Sequence, residues 1–186
     1  DTGFHSTMEP KAYMYAIPYE FYENNKIRRY GAHGTSHRYI ARKCEELFGD
    51  LTGKKIISCH IGSGSSICAI KDGKCVDTTM GYTPLVGVVM GTRCGDIDAS
   101  IVKEIMDIKG CSADEVINML NKQSGLLGIT GEYSDLRDID ENLHKPRVKL
   151  AFDMLVYSIK KYIGAYAAAM NGVDYIVFTA GVGEND

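Results

Sequence analysis

Residues 60–66, His60-Ile61-Gly62-Ser63-Gly64-Ser65-Ser66, come after the apolar run Ile56-Ile57-Ser58-Cys59 and put glycines and hydroxyls where a strand ends and the chain turns. That composition suits phosphate. Glycine lets the backbone approach an anion with no Cβ in the way, and bared N–H groups offer donors to phosphate oxygens. The segment does not fit G-x-x-x-x-G-K-[ST], and Gly62-x-Gly64 lacks the third glycine and the following helix of a dinucleotide fingerprint. Beyond it the chain runs Ile67-Cys68-Ala69-Ile70-Lys71, the pair Asp72-Gly73, and Lys74-Cys75-Val76-Asp77, the pattern of a tight hairpin. Taken alone, the loop also reads as an ordinary glycine turn.

Other side chains could act on an anion. Arg93 lies between Gly91 and Gly95, which let its backbone come close to a ligand, and a guanidinium can grip phosphate or carboxylate with two bonds. The alternative is a surface arginine paired with Asp96 or Asp98. His33 and His37 form an H-x-x-x-H pair that lacks the intervening Glu and a third ligand nearby, so His37 reads as structural. Asp135 and Arg137 read, from the residues alone, as a solvated ion pair.

Four segments taken together, Tyr30-Gly31-Ala32-His33-Gly34-Thr35-Ser36-His37, the His60 loop, Met80 through Asp98, and Phe178-Thr179-Ala180-Gly181-Val182-Gly183-Glu184-Asn185, closely resemble the acetate kinase (acetokinase) family. The opening Asp1-Thr2-Gly3-Phe4-His5 is similar to that family's Asp-Thr-x-Phe-His segment. The resemblance runs through the whole chain and implies a ribonuclease-H-like α/β fold with a mixed sheet and flanking helices, the actin-like ATPase architecture. It also implies reversible transfer of a phosphoryl group from ATP to acetate, giving acetyl phosphate and ADP, with Mg²⁺ accompanying the nucleotide and a homodimer as the assembly. Family members are about twice this long. The chain opens within a motif and stops just after a glycine turn that should open a helix, so it is expected to be a piece of a longer protein and inactive alone. Residues 1–50 are expected as a lead-in segment and helix, and residues 51–186 as an incomplete nucleotide-binding domain.

Carried over residue by residue, the resemblance makes Asp1, His33 and Arg93 catalytic. Phosphoryl transfer to a carboxylate needs fixed positive charge and donors along the line of attack, which suits His33 and Arg93. Acetate is already ionised at neutral pH, so Asp1 is expected to position Mg²⁺ or the acyl group rather than remove a proton. ATP contacts carry over to His60, Ile61, Gly62, Ser63 and Gly64, to Asp135, Leu136 and Arg137, and to Gly181, Val182, Gly183, Glu184 and Asn185. Position 63 departs from the family, where Asn is usual, and Ser removes an amide donor. Pro84 matches an apolar wall of the acyl pocket, and Ala32 stands where many members have Phe, which leaves room for a longer acid. Propionate or butyrate kinase is therefore one alternative, and a non-catalytic nucleotide-dependent switch of the Hsp70 or actin type is another. His33 and Arg93 argue against the switch.

Composition sets the outer bounds. The 186 residues are 45% apolar, enough for one sizeable core, and a net charge of -3 leaves no basic footprint for nucleic acid. No apolar run approaches the length of a membrane-spanning helix. The six cysteines form no C-x-x-C and stand beside no metal-like histidine spacing, so they read as reduced structural thiols and the setting as cytoplasmic.

The elements that must position these groups are legible from periodicity. Thr35 or Ser36 is expected to cap a helix running to Phe48, with Ile40, Cys44 and Leu47 inward and Gly49 as the stop. Strands near 55–61, 65–71 and 74–79 form a meander, and helices come next at 98–108 and 112–122, the second capped by Ser112. Pro146 suits the first turn of a long helix to about Met170, ended by Asn171-Gly172, after which Tyr175–Phe178 reads as a buried parallel strand.

Overall fold

A computed structural model describes residues 1–185. Three short helical pieces come first: a 3-10 turn Gly3–Thr7, α1 (Pro10–Tyr13) and α2 (Glu20–Asn25). Then come α3 (Gly34–Phe48) and the meander β1 (Lys55–His60), β2 (Ser66–Lys71) and β3 (Lys74–Thr78). Next are five helices, α4 (Ser100–Lys109), α5 (Ala113–Lys122), α6 (Gly125–Thr130), α7 (Leu136–Glu141) and α8 (Pro146–Ala169), and the chain ends with β4 (Tyr175–Thr179) and α9 (Ala180–Asn185). No helix among the described residues is long and apolar enough to cross a membrane.

The sheet order is β3-β2-β1-β4. Both hairpin pairings are antiparallel, while β4 joins β1 in parallel after the helical crossover, which makes the sheet mixed. Asp72 (φ 52°) and Gly73 (φ 71°) are both left-handed, the geometry of a type I′ turn, whose twist matches that of the strands it joins. The chain divides into two compact units. One comprises Asp1–Ile61, Ser66–Pro84 and Lys161–Asp186; the other comprises Gly62–Ser65 and Leu85–Lys160. Residues 1–50 thus belong to the unit that carries the sheet.

In the first unit α3 lies on the sheet. Strand period puts Ile56, Ser58 and His60 of β1 on one face, opposite Ile70, Cys68 and Ser66 of β2. The core on this side joins Ile40, Ala41 and Cys44 of α3 to Ile56, Cys68, Ile70 and Cys75 of the strands, with Met8 and Leu51. His37, Ile40, Ala41 and Cys44 make the buried helical stripe, at spacings of three and four. Leu47, expected inward, is 71% exposed, and in the same turn it is Phe48 that meets the sheet. Phe48 there stacks on Tyr175, ring centroids 4.5 Å apart.

β4 corrects a second expectation. It is parallel to β1, but it is an edge strand with only one face covered: Tyr175 and Val177 pack on the core, while Ile176 and Phe178 are 44% and 47% exposed. Among the described residues the second unit includes two small apolar clusters. Leu126, Ile139, Val148, Ala151 and Leu155 bring α6, α7 and α8 together, and Leu85, Val116 and Leu120 anchor α5. Ser112 caps α5 in a reciprocal capping box with Glu115, as the Ser-x-x-Glu pattern requires.

Candidate active site

The first unit holds a polar cluster where β1 and β2 meet the start of α3. His33 is the N-cap of α3 and takes the left-handed conformation (φ 58°, ψ 25°), uncommon for a residue with a side chain. No side chain of Thr35 or Ser36 caps the helix, contrary to the sequence expectation. The carboxylate of Asp1 does so from outside, its Oδ1 accepting from Thr35 N (2.6 Å) and Thr35 Oγ1 (2.7 Å). Negative charge at a helix N-terminus is also favoured by the helix dipole. The main chain repeats the contact, since Asp1 O accepts from Gly34 N at 3.0 Å. A Cβ on Gly34 would come within 2.7 Å of that carbonyl oxygen, so only glycine admits the approach.

Three histidines gather beside this cap. His33 stacks on His60, centroids 4.1 Å apart, and its Nδ1 lies 2.9 Å from Ser66 Oγ. His37, fully buried, reaches the same hydroxyl with Nε2 (2.8 Å) and Ser58 Oγ with Nδ1 (2.9 Å). His60 Nδ1 lies 2.9 Å from Ser36 Oγ. Burial drives the His37 pKa well below its ordinary value, helped by the neighbouring His5, His60 and His33 rings, and burial lowers that of His60. Neutral His37 has a single N–H and Ser66 a single O–H, so the two rings at Ser66 cannot both accept from it. The proton positions of His33 and His37 are thereby linked. His37 is structural as expected, but structural to His33 in particular. Sequence reasoning misses Ser66, Ser58 and Ser36, because a serine in a strand or a first helical turn carries no signal of its partner.

The remaining predicted residues of this unit lie along its edges. Ile61 N donates to Thr179 O, and Ile61 O accepts from both Val182 N and Gly183 N, each at 3.1 Å. Residues 181–185 are therefore helical, and two amides of that glycine segment are engaged by the main chain of β1's exit. Glu184 Oε1 accepts from Thr179 Oγ1, and Asn185 Nδ2 donates to Gly181 O. Ala32 accepts from His5 Nε2 through its carbonyl, and Pro84 is exposed next to exposed Tyr82. Arg29 Nη1 donates to the carbonyls of Thr78, Thr79 and Met80, fixing the chain that leads to Pro84.

In the second unit Gly91 is the meeting point of three predicted segments. A Cβ there would lie 2.8 Å from Ser134 O and 3.7 Å from Ser63 O. Ser65 closes the glycine loop on itself, its Oγ donating to Gly62 O and accepting from Gly62 N. Arg93 extends from a rigid turn. Met90, Gly91 and Thr92 offer their carbonyls to Leu126, Leu127 and Ser124, Met90 N donates to Arg93 O, and Gly125 is wedged against Met90 O and Arg93 O. The Arg93 side chain reaches Met90 Sδ at 3.7 Å. Asp96 Oδ1 accepts from Gly87 N and Asp98 Oδ1 from Ser100 N. Asp135 caps α7 through Arg137 N and also pairs with the Arg137 guanidinium at 2.7 Å, which holds its carboxyl down to about 2. Arg137 is 89% exposed, so the ion pair expected from the residues alone is present at the surface. Leu136 packs into the α6–α8 core.

Known proteins resemble the chain over its whole length. Acetate kinase of Phocaeicola vulgatus is 61% identical over 188 residues, a match that takes in all of this chain and 47% of that protein. Among solved structures, Porphyromonas gingivalis acetate kinase superposes with a TM-score of 0.96 at 49% identity, and a propionate kinase from Francisella tularensis with 0.95 at 45%. Each covers the whole of this chain and 47% or 48% of its own. The chain thus spans about half the length of the relatives it matches and shares their actin-like, ribonuclease-H-like fold. The acetokinase family model matches it from residue 1 to residue 186, so the chain belongs to the acetokinase family.

Proposed function

We propose that this chain is the greater part of the nucleotide-binding half of an acetate kinase, acting in the reversible reaction of ATP with acetate to give acetyl phosphate and ADP. The observation that carries the reading is the support built around His33. Its ring is stacked on His60, tied through Ser66 to a buried neutral histidine, and set at the N-terminus of α3 where Asp1 is already docked. Charge accumulates on the equatorial oxygens of the transferring phosphoryl group, and a pre-aimed donor stabilises it without reorganising. Arg93, in a turn tied by main-chain bonds to residues 124–127, is assigned a permanently charged part in the same reaction. The glycine loop 60–64, the 135–137 segment and the 181–185 segment are assigned to the nucleotide, and 51–186 to its incomplete domain, with 1–50 as the lead-in. Mg²⁺ enters with ATP, as part of the substrate, and the Asp1 carboxylate is a hard oxygen donor of the kind that ion takes.

The remaining half of the site is assigned to the rest of the full-length enzyme, which we expect to be a cytoplasmic homodimer. Six unbridged thiols support a reducing setting. Propionate kinase is the second reading, supported by the small Ala32 and by the likeness to the Francisella tularensis structure. Acyl phosphate formation from MgATP, trapped with hydroxylamine, tests both. Acetate should lead propionate and butyrate in the full-length enzyme; propionate in the lead selects the second reading, and no product with any acid refutes both.

A further inference from the structure

The chain shows no metal-like histidine spacing around its cysteines, yet the fold brings His5, Cys68 and Cys75 together inside the α3-side core, next to His37, whose ring lies 5.8 Å from that of His5. One nitrogen and two sulfurs, all from buried residues, lie within 4.8 Å of one another. His5 Nδ1 is 3.2 Å from Cys75 Sγ, and Cys68 Sγ is 3.5 Å from Cys75 Sγ. Tetrahedral bonds of ordinary length to a zinc-like ion would set two thiolates about 3.8 Å apart and a thiolate and an imidazole nitrogen about 3.6 Å apart. A few tenths of an ångström of expansion therefore admits an ion.

Two features of the backbone organise this set. The first is a register shift between Ala69 and Ile70, which pairs Ile70 with Cys75. With Cys68 opposite Thr78, an unbroken ladder would pair Ile70 with Val76 and send Cys75 to the other face of the sheet. The shift turns its sulfur toward Cys68, as bulges re-aim side chains elsewhere. The second is the carbonyl of Ala32, 2.9 Å from His5 Nε2. A carbonyl can only accept, so Nε2 carries the proton and Nδ1 faces Cys75. Donating the far ring N–H to a backbone carbonyl is the usual support of a metal-bound histidine. The ring has little room to turn, for a Cβ on Gly31 would stand 2.6 Å from His5 Cδ2.

We propose that His5 Nδ1, Cys68 Sγ and Cys75 Sγ form a binding site for a thiophilic d¹⁰ cation, Cu⁺ or Zn²⁺, separate from any ion that accompanies the nucleotide. Binding displaces the Cys68 thiol proton, which is lost to solvent as the metal takes its place, while Cys75 binds as the thiolate it already favours near neutral pH. Cu⁺ is satisfied by three such donors, and Zn²⁺ would complete its shell with water. The hydrogen bond from Cys68 and the ring of His5 already hold the Cys75 thiol down to about 6 against the cost of burying it. A hard cation such as Mg²⁺ has no preference for this set.

The test is anaerobic refolding of the reduced protein with Cd²⁺, Zn²⁺ or Cu⁺, then removal of loose metal, with bound metal counted and thiolate-to-cadmium absorption recorded. One ion per chain is expected for each metal, with proton release on binding and a raised Tm. Binding should persist when Cys44, Cys59, Cys94 and Cys111 are all replaced by Ala, a variant that keeps the proposed donors. It should be lost in Cys68→Ser and in Cys75→Ser. No bound metal in the parent, loss in the fourfold variant, retention in either single variant, or displacement of Cd²⁺ by millimolar Mg²⁺ overturns the proposal. If the single variants do not fold, the fourfold variant decides it.

Discussion

Replacing Gly91 by Ala adds one methyl group at the place where the glycine loop, the Arg93 turn and the 134–137 segment converge. Its φ lies outside the left-handed region, so Ala is not strained there by its own backbone. The cost is steric. The new Cβ would lie 2.8 Å from Ser134 O, and ordinary contact begins at 3.4 Å, so one side must yield by 3.4 - 2.8 = 0.6 Å. Neither side is loose. Gly91 O is held by Leu127 N at 2.9 Å, and Ser134 comes after a turn whose Thr130 hydroxyl bonds Tyr133 N and Tyr133 O.

Overpacking of this kind costs about 1–3 kcal/mol, while removing a glycine from the unfolded chain returns about 0.4–1 kcal/mol. Taking the middle of each range, the net expectation is a loss of about 1.3 kcal/mol, a fall of several degrees in Tm for a chain of this size. Gly164→Ala is the control. That glycine lies inside α8 with nothing within 4 Å of an added Cβ, and the substitution should stabilise by roughly 0.5–1 kcal/mol. The same methyl group thus gives opposite signs at two sites. Urea unfolding measures both, and in the full-length enzyme Gly91→Ala should also raise KM for ATP as Ser63 and Ser134 are pushed apart. A Gly91→Ala protein as stable as its parent, or more stable, refutes the reasoning.

Asp1→Asn keeps an oxygen for Thr35 and removes the charge, so Tm should fall by less than in Asp1→Ala while the Mg²⁺ requirement of the full-length enzyme rises sharply; an unchanged metal dependence refutes the assigned role. The folded-state pKa values of His37 and His60 are lowered by burial, so the unfolded chain binds more protons below about pH 6.5. Stability is complete above that pH and falls with acidity by up to about 1.4 kcal/mol per pH unit for each proton taken up. Urea midpoints at pH 7.5, 6.5 and 5.5 read the slope, and His37→Gln should flatten it. Ser66→Ala leaves two imidazole nitrogens without their hydroxyl, which should cost about 1–3 kcal/mol and lower kcat more than it raises KM for ATP. Arg137→Ala removes a surface ion pair and should change stability by under about 1 kcal/mol, so any large loss of ATP affinity reports nucleotide contact.

Local rules carried much of the scaffold. Asp72-Gly73 demanded its hairpin turn, Ser112 its helix cap, and Pro146 and Asn171-Gly172 the two ends of α8, because each depends on residues adjacent in the chain. Features that depend on distant residues were silent. Asp1 caps α3 from more than thirty residues away, and the Ala69/Ile70 register shift has no glycine or proline to announce it. Leu47 kept helical spacing yet faces solvent, since spacings of three and four both fit the stripe after Cys44 and it is Phe48 that meets Tyr175. His33 and Arg93 came from family likeness. Their supports in Ser66, His37 and the 124–127 turn are visible only in three dimensions.

The division of the α3-facing sheet surface bears on why those supports exist. Along β1 the covered face reads Ile56, Ser58, His60, and along β2 Ile70, Cys68, Ser66, so it grows polar toward one end. That end is the carboxyl end of the parallel pair β1 and β4, where open α/β sheets bind their ligands. Burying His37 with Ser58 and Ser66 contributes less to stability than apolar residues of the same volume would, since each polar atom must recover the hydrogen bonds it gave up in water. Every buried side-chain nitrogen and oxygen among the described residues does find a partner. The gain is orientation. His33 sits in a left-handed backbone conformation at a helix cap, a position from which an unsupported ring would rotate freely, and Ser66 and His60 fix it from two directions. Stability is given up at the one end of the core where the proposed reaction calls for a fixed imidazole.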